Sequence, residues 1–234
     1  MTVVGLEGLE QIASGESLAD RAYQHLVRAI LRNELRPGTP LSVPELARRM
    51  NVSRSPVREA VQRLIHDGLA EHVMHRGAVV TRIDPSSFHD LLEVRQLLEG
   101  LAARLAAERI SPEEVEQLGA TLQEHEVVVA GDDLFANVEL DVRFHSIIRR
   151  AAGNHDLDAM LARTQARAHL SLHTLWRGPR DPQAMLDEHR AVYAAIAAGD
   201  PAAADAAAQA HIQGLRDRVA AGVVGFDHLA GAGK

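Results

Sequence analysis

The chain has no cysteine, a single lysine at its last position, and only 3% aromatic residues among 234. Without cysteine there is no disulfide framework, no thiolate zinc site and no cysteine nucleophile. So few aromatics argue against the stacking platforms that read single-stranded nucleic acid. No apolar run reaches the roughly 20 residues of a membrane span, so no membrane partner is expected. No basic segment followed by an apolar stretch opens the chain, and the expected location is the cytoplasm. What is present, 46% hydrophobic and 24% charged residues, suits one large globular domain or two small ones.

Charge is unevenly spread along the chain. Residues 17–84 carry 11 Arg against 7 Asp and Glu, whereas from Pro85 onward 14 bases face 22 acids. A basic front on an acidic back suggests that one part meets an anionic polymer and the other does something else.

The hydrophobic period is helical almost throughout. Residues 1–16 hold no lasting period and 221–234 dissolve into Gly and Ala, so both are expected to be loose, a disordered leader and a flexible tail. A first helix over 17–33 is followed by the Arg36-Pro37-Gly38-Thr39-Pro40 stop. Ser42 stands three residues before Glu45, a capping-box spacing, and opens a short helix to about Met50. The Asn51-Val52-Ser53 turn leads into a third helix ending near Asp67, with Pro56 in its first turn. A hairpin follows, with strands 69–74 and 78–83 about a His75-Arg76-Gly77 turn. Asp84-Pro85 marks the boundary between residues 17–84 and a second unit, 85–220, with helices near 86–109, 112–130, 133–152, 155–177, 182–198 and 201–220. Asp132-Asp133 reads as a helix cap, and Arg149-Arg150 as a solvated face with domain docking as the alternative.

Helix, helix, three-residue turn, helix and hairpin make the layout of a winged helix-turn-helix, a reader of double-stranded DNA. In the third helix Val57, Val61 and Leu64 form the packing stripe, and Arg54, Ser55, Arg58 and Gln62 share the opposite side. An Arg fork near that helix's N-terminus can take guanine O6 and N7 together. Ser53, Ser55 and the first-turn N–H groups can hold phosphates. Arg76 beside Gly77 is placed to reach the flanking minor groove. The alternative is a helical bundle with ordinary surface arginines.

In the back unit, four ionisable residues occupy positions where helix patterns want apolar ones. Asp141 and His145 lie on the stripe Leu134, Val138, Asp141, His145, Ile148. His189 lies on Met185, His189, Val192, Ile196, and His211 on Ala204, Ala207, His211, Leu215. Buried without partners they cost several kcal/mol, so they bond one another, bind a metal or line a wet pocket. One oxygen and three imidazoles suit one divalent ion per chain, zinc or nickel ahead of manganese or iron, with two octahedral positions left open. His169 and His173, one turn apart near Trp176, read as solvated or stacked, with a second metal pair or a cavity wall as alternatives.

Val52-Ser53-Arg54-Ser55-Pro56-Val57-Arg58-Glu59-Ala60, with Leu35-Arg36-Pro37-Gly38 before it and Asp67-Gly68-Leu69 after it, resembles the GntR family of bacterial transcriptional regulators. On that resemblance Arg54 and Arg58 read bases, while Ser53, Ser55 and the wing around Gly77 touch the DNA backbone. One departure is Pro44, which stands where many members carry a DNA-contacting Arg; Arg48 and Arg49 are the candidates to compensate. Leu92–Glu99, Asp141-Val142-Arg143-Phe144-His145, Glu188-His189 and Ala210-His211 resemble the all-helical FCD effector domain of the FadR subfamily. That resemblance implies that Asp141, His145, His189 and His211 coordinate the metal and that a small organic acid binds beside it. Arg95, on the inward stripe Leu91, Arg95, Leu98, Ala102, matches the family's Glu-x-Arg motif and becomes either the carboxylate clamp or an ion-pair partner of Glu99.

The expectation is therefore a mainly α chain, an N-terminal winged helix-turn-helix plus a C-terminal all-helical bundle. It is expected to act as a repressor that binds a palindromic operator as a homodimer and responds to a small acid. The same regulator with a purely structural metal is the alternative. A metal-dependent hydrolase is the remote rival: Glu188 is its one adjacent acid–base candidate, and neighbours on a helix point about 100° apart.

Overall fold

The computed structural model describes residues 17–131, 134–175 and 181–222. Residues 1–16 and 223–234, Asp132-Asp133, Trp176 and the Gly178-Pro179 break lie outside the described residues, so the expectations for them stop there. Among the described residues there are nine helices and a two-stranded sheet.

Helix α1 (Leu18–Leu31) begins at a capping box in which Ser17 and Asp20 bond each other's backbone N–H, and buries Ala22, Leu26 and Ile30 at four-residue spacing. Helix α2 (Val43–Met50) lacks the capping box expected at Ser42. Glu45 is taken instead by Arg48 at 2.8 Å and Arg49 at 2.7 Å, because two guanidinium groups one turn away compete better than a neutral N–H. Asn51, at φ 52°, closes α2 in the left-handed conformation that Asn tolerates. Helix α3 (Arg54–His66) buries Val57, Ala60, Val61 and Leu64, and Gly68 at φ 72° turns the chain out of it.

Strands β1 (Ala70–Val73) and β2 (Gly77–Val80) pair antiparallel, Ala70 opposite Val80 and Val73 opposite Gly77. Gly77 is thus the first residue of β2 and not part of the loop. Two residues of this hairpin are left-handed, His75 at φ 63° and Gly77 at φ 72°. Pro40 bridges to Val79 on the outer edge.

Six longer helices follow: α4 (Pro85–Arg109), α5 (Pro112–Gly131), α6 (Leu134–Ala151), α7 (His155–Leu175), α8 (Pro182–Ala197) and α9 (Pro201–Gly222). Asp84 caps α4 by accepting the Ser87 N–H. Helix α9 runs two residues into the expected tail. Helix α4 packs along α9 and also touches α6, α7 and α8. No helix among the described residues is long and apolar enough to cross a membrane.

Two apolar cores result. The first joins Leu26, Ile30, Leu64, Leu69 and Val80 of the front to Phe88 and Leu92 of α4, Ala168 and Leu170 of α7, and Ile212 and Leu215 of α9. The second holds Ala102 and Ala106 of α4, Phe144 and Ile148 of α6, Leu161 of α7, and Leu186 and Val192 of α8. Between them lies a buried polar layer. Along α4 the order is Leu92, then Arg95 and Glu99, then Ala102; along α9 it is Ala208, His211, Leu215.

Candidate functional site

The third helix presents a sharply divided surface. Ser53, Arg54, Ser55, Arg58 and Gln62 are exposed, as are Arg76 and Gly77 at the hairpin. Among the described residues Arg54, Arg58 and Arg76 have no side-chain partner, and Ser53 caps α3 without a side-chain bond. Neighbouring arginines are already committed. Arg63 pairs with Asp20 and lies 4.2 Å from the Tyr23 ring centroid, and Arg48 and Arg49 share Glu45, whose carboxyl they pull down to about 2. The two side chains expected to make up for Pro44 are therefore tied to their own helix. Long cations without partners at the N-terminus of an exposed helix are what a phosphate-lined groove selects.

The second site is buried in the polar layer. Asp141, His145, His189 and His211, from α6, α8 and α9, each offer one ligand atom, and these atoms lie within 4.8 Å of one another. The rings form a triangle, with centroids 4.6 Å apart for His189–His211, 5.2 Å for His145–His189 and 5.3 Å for His145–His211. Asp141 Oδ1 stands 3.5 Å from His189 Nε2 and 3.7 Å from His145 Nε2.

Two of these rings are oriented by carboxylates. His145 Nδ1 donates to Glu99 Oε2 at 3.1 Å, and His211 Nδ1 donates to Glu188 Oε2 at 2.9 Å. Arg218 grips Glu188 through both of its Nη groups, and Arg95 Nε donates to Glu99 Oε1 at 3.0 Å. Each carboxylate thereby fixes the tautomer in which Nε2 keeps a lone pair facing the cluster. Glu188, the acid–base candidate, is spent on His211.

His189 differs from both. It is fully buried, it stacks on Phe144 at a centroid distance of 4.4 Å, and neither ring nitrogen has a hydrogen-bond partner. Burial, then the charge of neighbouring His211, holds its imidazole well below the ordinary value of 6.5, and burial lowers His211 as well. Burial opposes ionisation of Asp141, but the histidines around it, His145 first, hold its carboxyl well below 3.8. An ionised carboxylate beside His189, a neutral imidazole whose two nitrogens have no hydrogen-bond partner, fits a bound cation: a buried nitrogen without a partner costs about 1–3 kcal/mol.

Arg95 is buried as expected. It makes the Glu99 ion pair, and its Nη2 lies 3.5 Å from His145 Nε2. Two further residues depart from the sequence reading. His169 is buried, not solvated: its Nε2 lies 3.0 Å from Asp141 Oδ2, though out of line for a hydrogen bond. The His173 side chain lies outside the described residues. Arg149 is buried too, pairing with Asp158 at 2.9 Å and with Gln165, while Arg150 is exposed. Gln165 itself donates to Asp141 Oδ2 at 3.3 Å. It was missed, although the stripe Leu157, Leu161, Gln165, Ala168 carries the same signal as the histidine stripes. His125, on the stripe Leu118, Leu122, His125, was missed likewise; its Nε2 sits 3.1 Å from Asn137 Oδ1 and its ring 5.8 Å from that of His189.

Residues 18–80 match the bacterial regulatory proteins of the gntR family, and residues 90–214, more than half of the chain, match the FCD domain. The chain belongs to the GntR family and carries an FCD domain. The HTH-type transcriptional repressor RspR of Escherichia coli (strain K12) is 28% identical over 209 residues, 89% of this chain and 92% of RspR. The HTH-type transcriptional regulator LutR of Bacillus subtilis (strain 168) is 31% identical over 212 residues, 80% of this chain and 94% of LutR. The solved structure of E. coli McbR/YncC superposes with a TM-score of 0.78 at 21% identity, covering 87% of this chain and 97% of that one, which shows the shared fold. This GntR protein is accordingly a DNA-binding transcriptional regulator and not an enzyme.

Proposed function

We propose that this regulator is a ligand-responsive repressor that binds a palindromic operator as a homodimer. Two α3 helices related by a two-fold axis enter successive major grooves. Arg54 and Arg58 read base edges, Ser53 and Ser55 hold phosphates, and Arg76 with Gly77 reaches the adjacent minor groove. The 85–220 unit senses the ligand and joins the two copies. Asp141, His145, His189 and His211 hold one divalent transition ion, zinc or nickel ahead of manganese or iron, and a small carboxylate binds beside it with Arg95 as its clamp. When bound, the ion supplies a Lewis-acid centre for that carboxylate.

The observation that carries the metal reading is His189, a fully buried imidazole with both nitrogens unpartnered, facing an ionised Asp141 and two rings whose Nδ1 groups are already engaged. A second reading, a structural ion without an effector, draws on the Arg95–Glu99 pair, which already occupies part of the guanidinium.

Metal content of untagged protein purified without chelator tests the first reading. About one equivalent per chain, lost in Asp141→Ala, is expected; no bound metal overturns it. Thermal melting of the zinc-loaded protein with acetate, succinate and citrate separates the two. A rise in midpoint that disappears in Arg95→Ala supports the sensor, and no response to any acid supports the structural ion.

A further inference from the structure

The two oxygens of Asp141 face different neighbours. Oδ1 looks into the histidine triangle, at 3.5 Å from His189 and 3.7 Å from His145. Oδ2 looks at α7, 3.3 Å from Gln165 Nε2 and 3.0 Å from His169 Nε2. The Gln165 amide has no freedom to turn: its oxygen accepts from Arg149, which Asp158 anchors, so its NH2 points at Asp141.

Gln165 and His169 are one turn apart and share a face of α7. Arg163 and Arg167, also one turn apart, are each two residues from Gln165, a rotation of about 200° that puts them on nearly the opposite side. There Arg163 Nη1 meets His66 Nε2 at 3.3 Å, on the last residue of the recognition helix α3. Arg167 lies over Gly68, close enough that a Cβ at Gly68 would stand 3.1 Å from Arg167 Cδ. Between these faces Ala168 and Leu170 enter the same core as Leu64 and Leu69.

We infer that α7 is the strut by which the Asp141 site reports to the DNA-reading helix. Gln165 and His169 are its positioning residues on the ligand side, and Arg163 and Arg167 its grip on the end of α3. The inference rests on the metal reading above. A cation that draws on Asp141 Oδ1 changes what Oδ2 offers to Gln165 and His169. A helix packed between two cores passes on such a shift as a small rigid movement, not as a local deformation.

The test uses the full-length chain, zinc alone as the probe, and hydrogen exchange of the segment spanning residues 60–69. In the wild type, zinc loading is expected to slow exchange there severalfold relative to EDTA-treated protein. Gln165→Met and Arg163→Ala are each expected to abolish that difference while Arg163→Ala still takes up one zinc, and Arg163→Lys, which keeps a donor to His66, is expected to restore part of it. Zinc uptake with no change at 60–69, or with the same change in both variants, overturns the strut and leaves the metal reading standing. Absence of zinc uptake in the wild type overturns both.

Discussion

Glu188 follows Asp187 and precedes His189 in sequence, yet its carboxylate accepts the Nδ1–H of His211 at 2.9 Å from the neighbouring helix. His211 therefore turns Nε2 toward the cluster, and Arg218 keeps Glu188 in place. The substitution Glu188→Gln removes the charge that strengthens this ring as a donor. A loss of roughly 10–100-fold in zinc affinity is expected, measured by competition with a chelating dye. An unchanged affinity would mean that Glu188 only braces α8 against α9.

The recognition face gives a prediction of the opposite kind, one in which folding is untouched. Arg58 is exposed and without a partner, so Arg58→Ala leaves the melting midpoint within experimental error. Affinity for an operator selected from a random duplex pool is expected to fall by about 1–3 kcal/mol and specificity to relax at one base position. Equal affinity for the selected and scrambled duplexes in both proteins would count against α3 as the reader.

His189→Leu separates a ligand from a structural histidine. Zinc uptake is expected to be lost. In EDTA-treated protein the midpoint is expected to hold or rise, because two unpartnered nitrogens are exchanged for apolar surface against Phe144. A marked drop in the midpoint of the EDTA-treated protein would show that His189 has a protein partner.

Acidification should weaken the fold from the histidine range downward. His189 and His211 are held below 6.5 by burial, so the unfolded chain takes up protons in a range where the folded chain does not. Stability then falls as pH drops through about 6.5. At lower pH Asp141 and Glu99 act in the same direction: burial opposes their charge, neighbouring His and Arg outweigh it, and their folded values lie below 3.8 and 4.5. Melting of EDTA-treated protein at pH 7.5 and 5.5 checks this, and a midpoint at 5.5 equal to or above that at 7.5 contradicts neutral burial of the two rings.

Local chemistry made much of this legible in the sequence. The Asn51-Val52-Ser53 turn and the split faces of α3 are written within a dozen residues. The stripes of α6, α8 and α9 placed Asp141 and the three histidines inside because helical spacing alone decides a face. Reading failed where a distant residue set the outcome. Arg149 looked solvated because its partners Asp158 and Gln165 come from the next helix. His169 looked solvated because only packing brings α7 onto Asp141. Even the local Ser42–Glu45 box lost to Arg48 and Arg49, a competition between a neutral donor and two charged ones that spacing rules do not weigh.

The shared front core has a practical consequence for building chimaeras. Leu64, Leu69 and Val80 are sealed by Phe88, Leu92, Ala168, Leu170, Ile212 and Leu215, so a cut at residue 84 strips one wall from the head. The DNA-reading unit and the helices beneath it are expected to melt in a single cooperative transition. A functional graft of this head onto another sensor would have to carry the first two turns of α4 and matching contact residues from α7 and α9, or else leave the transplanted head half-open.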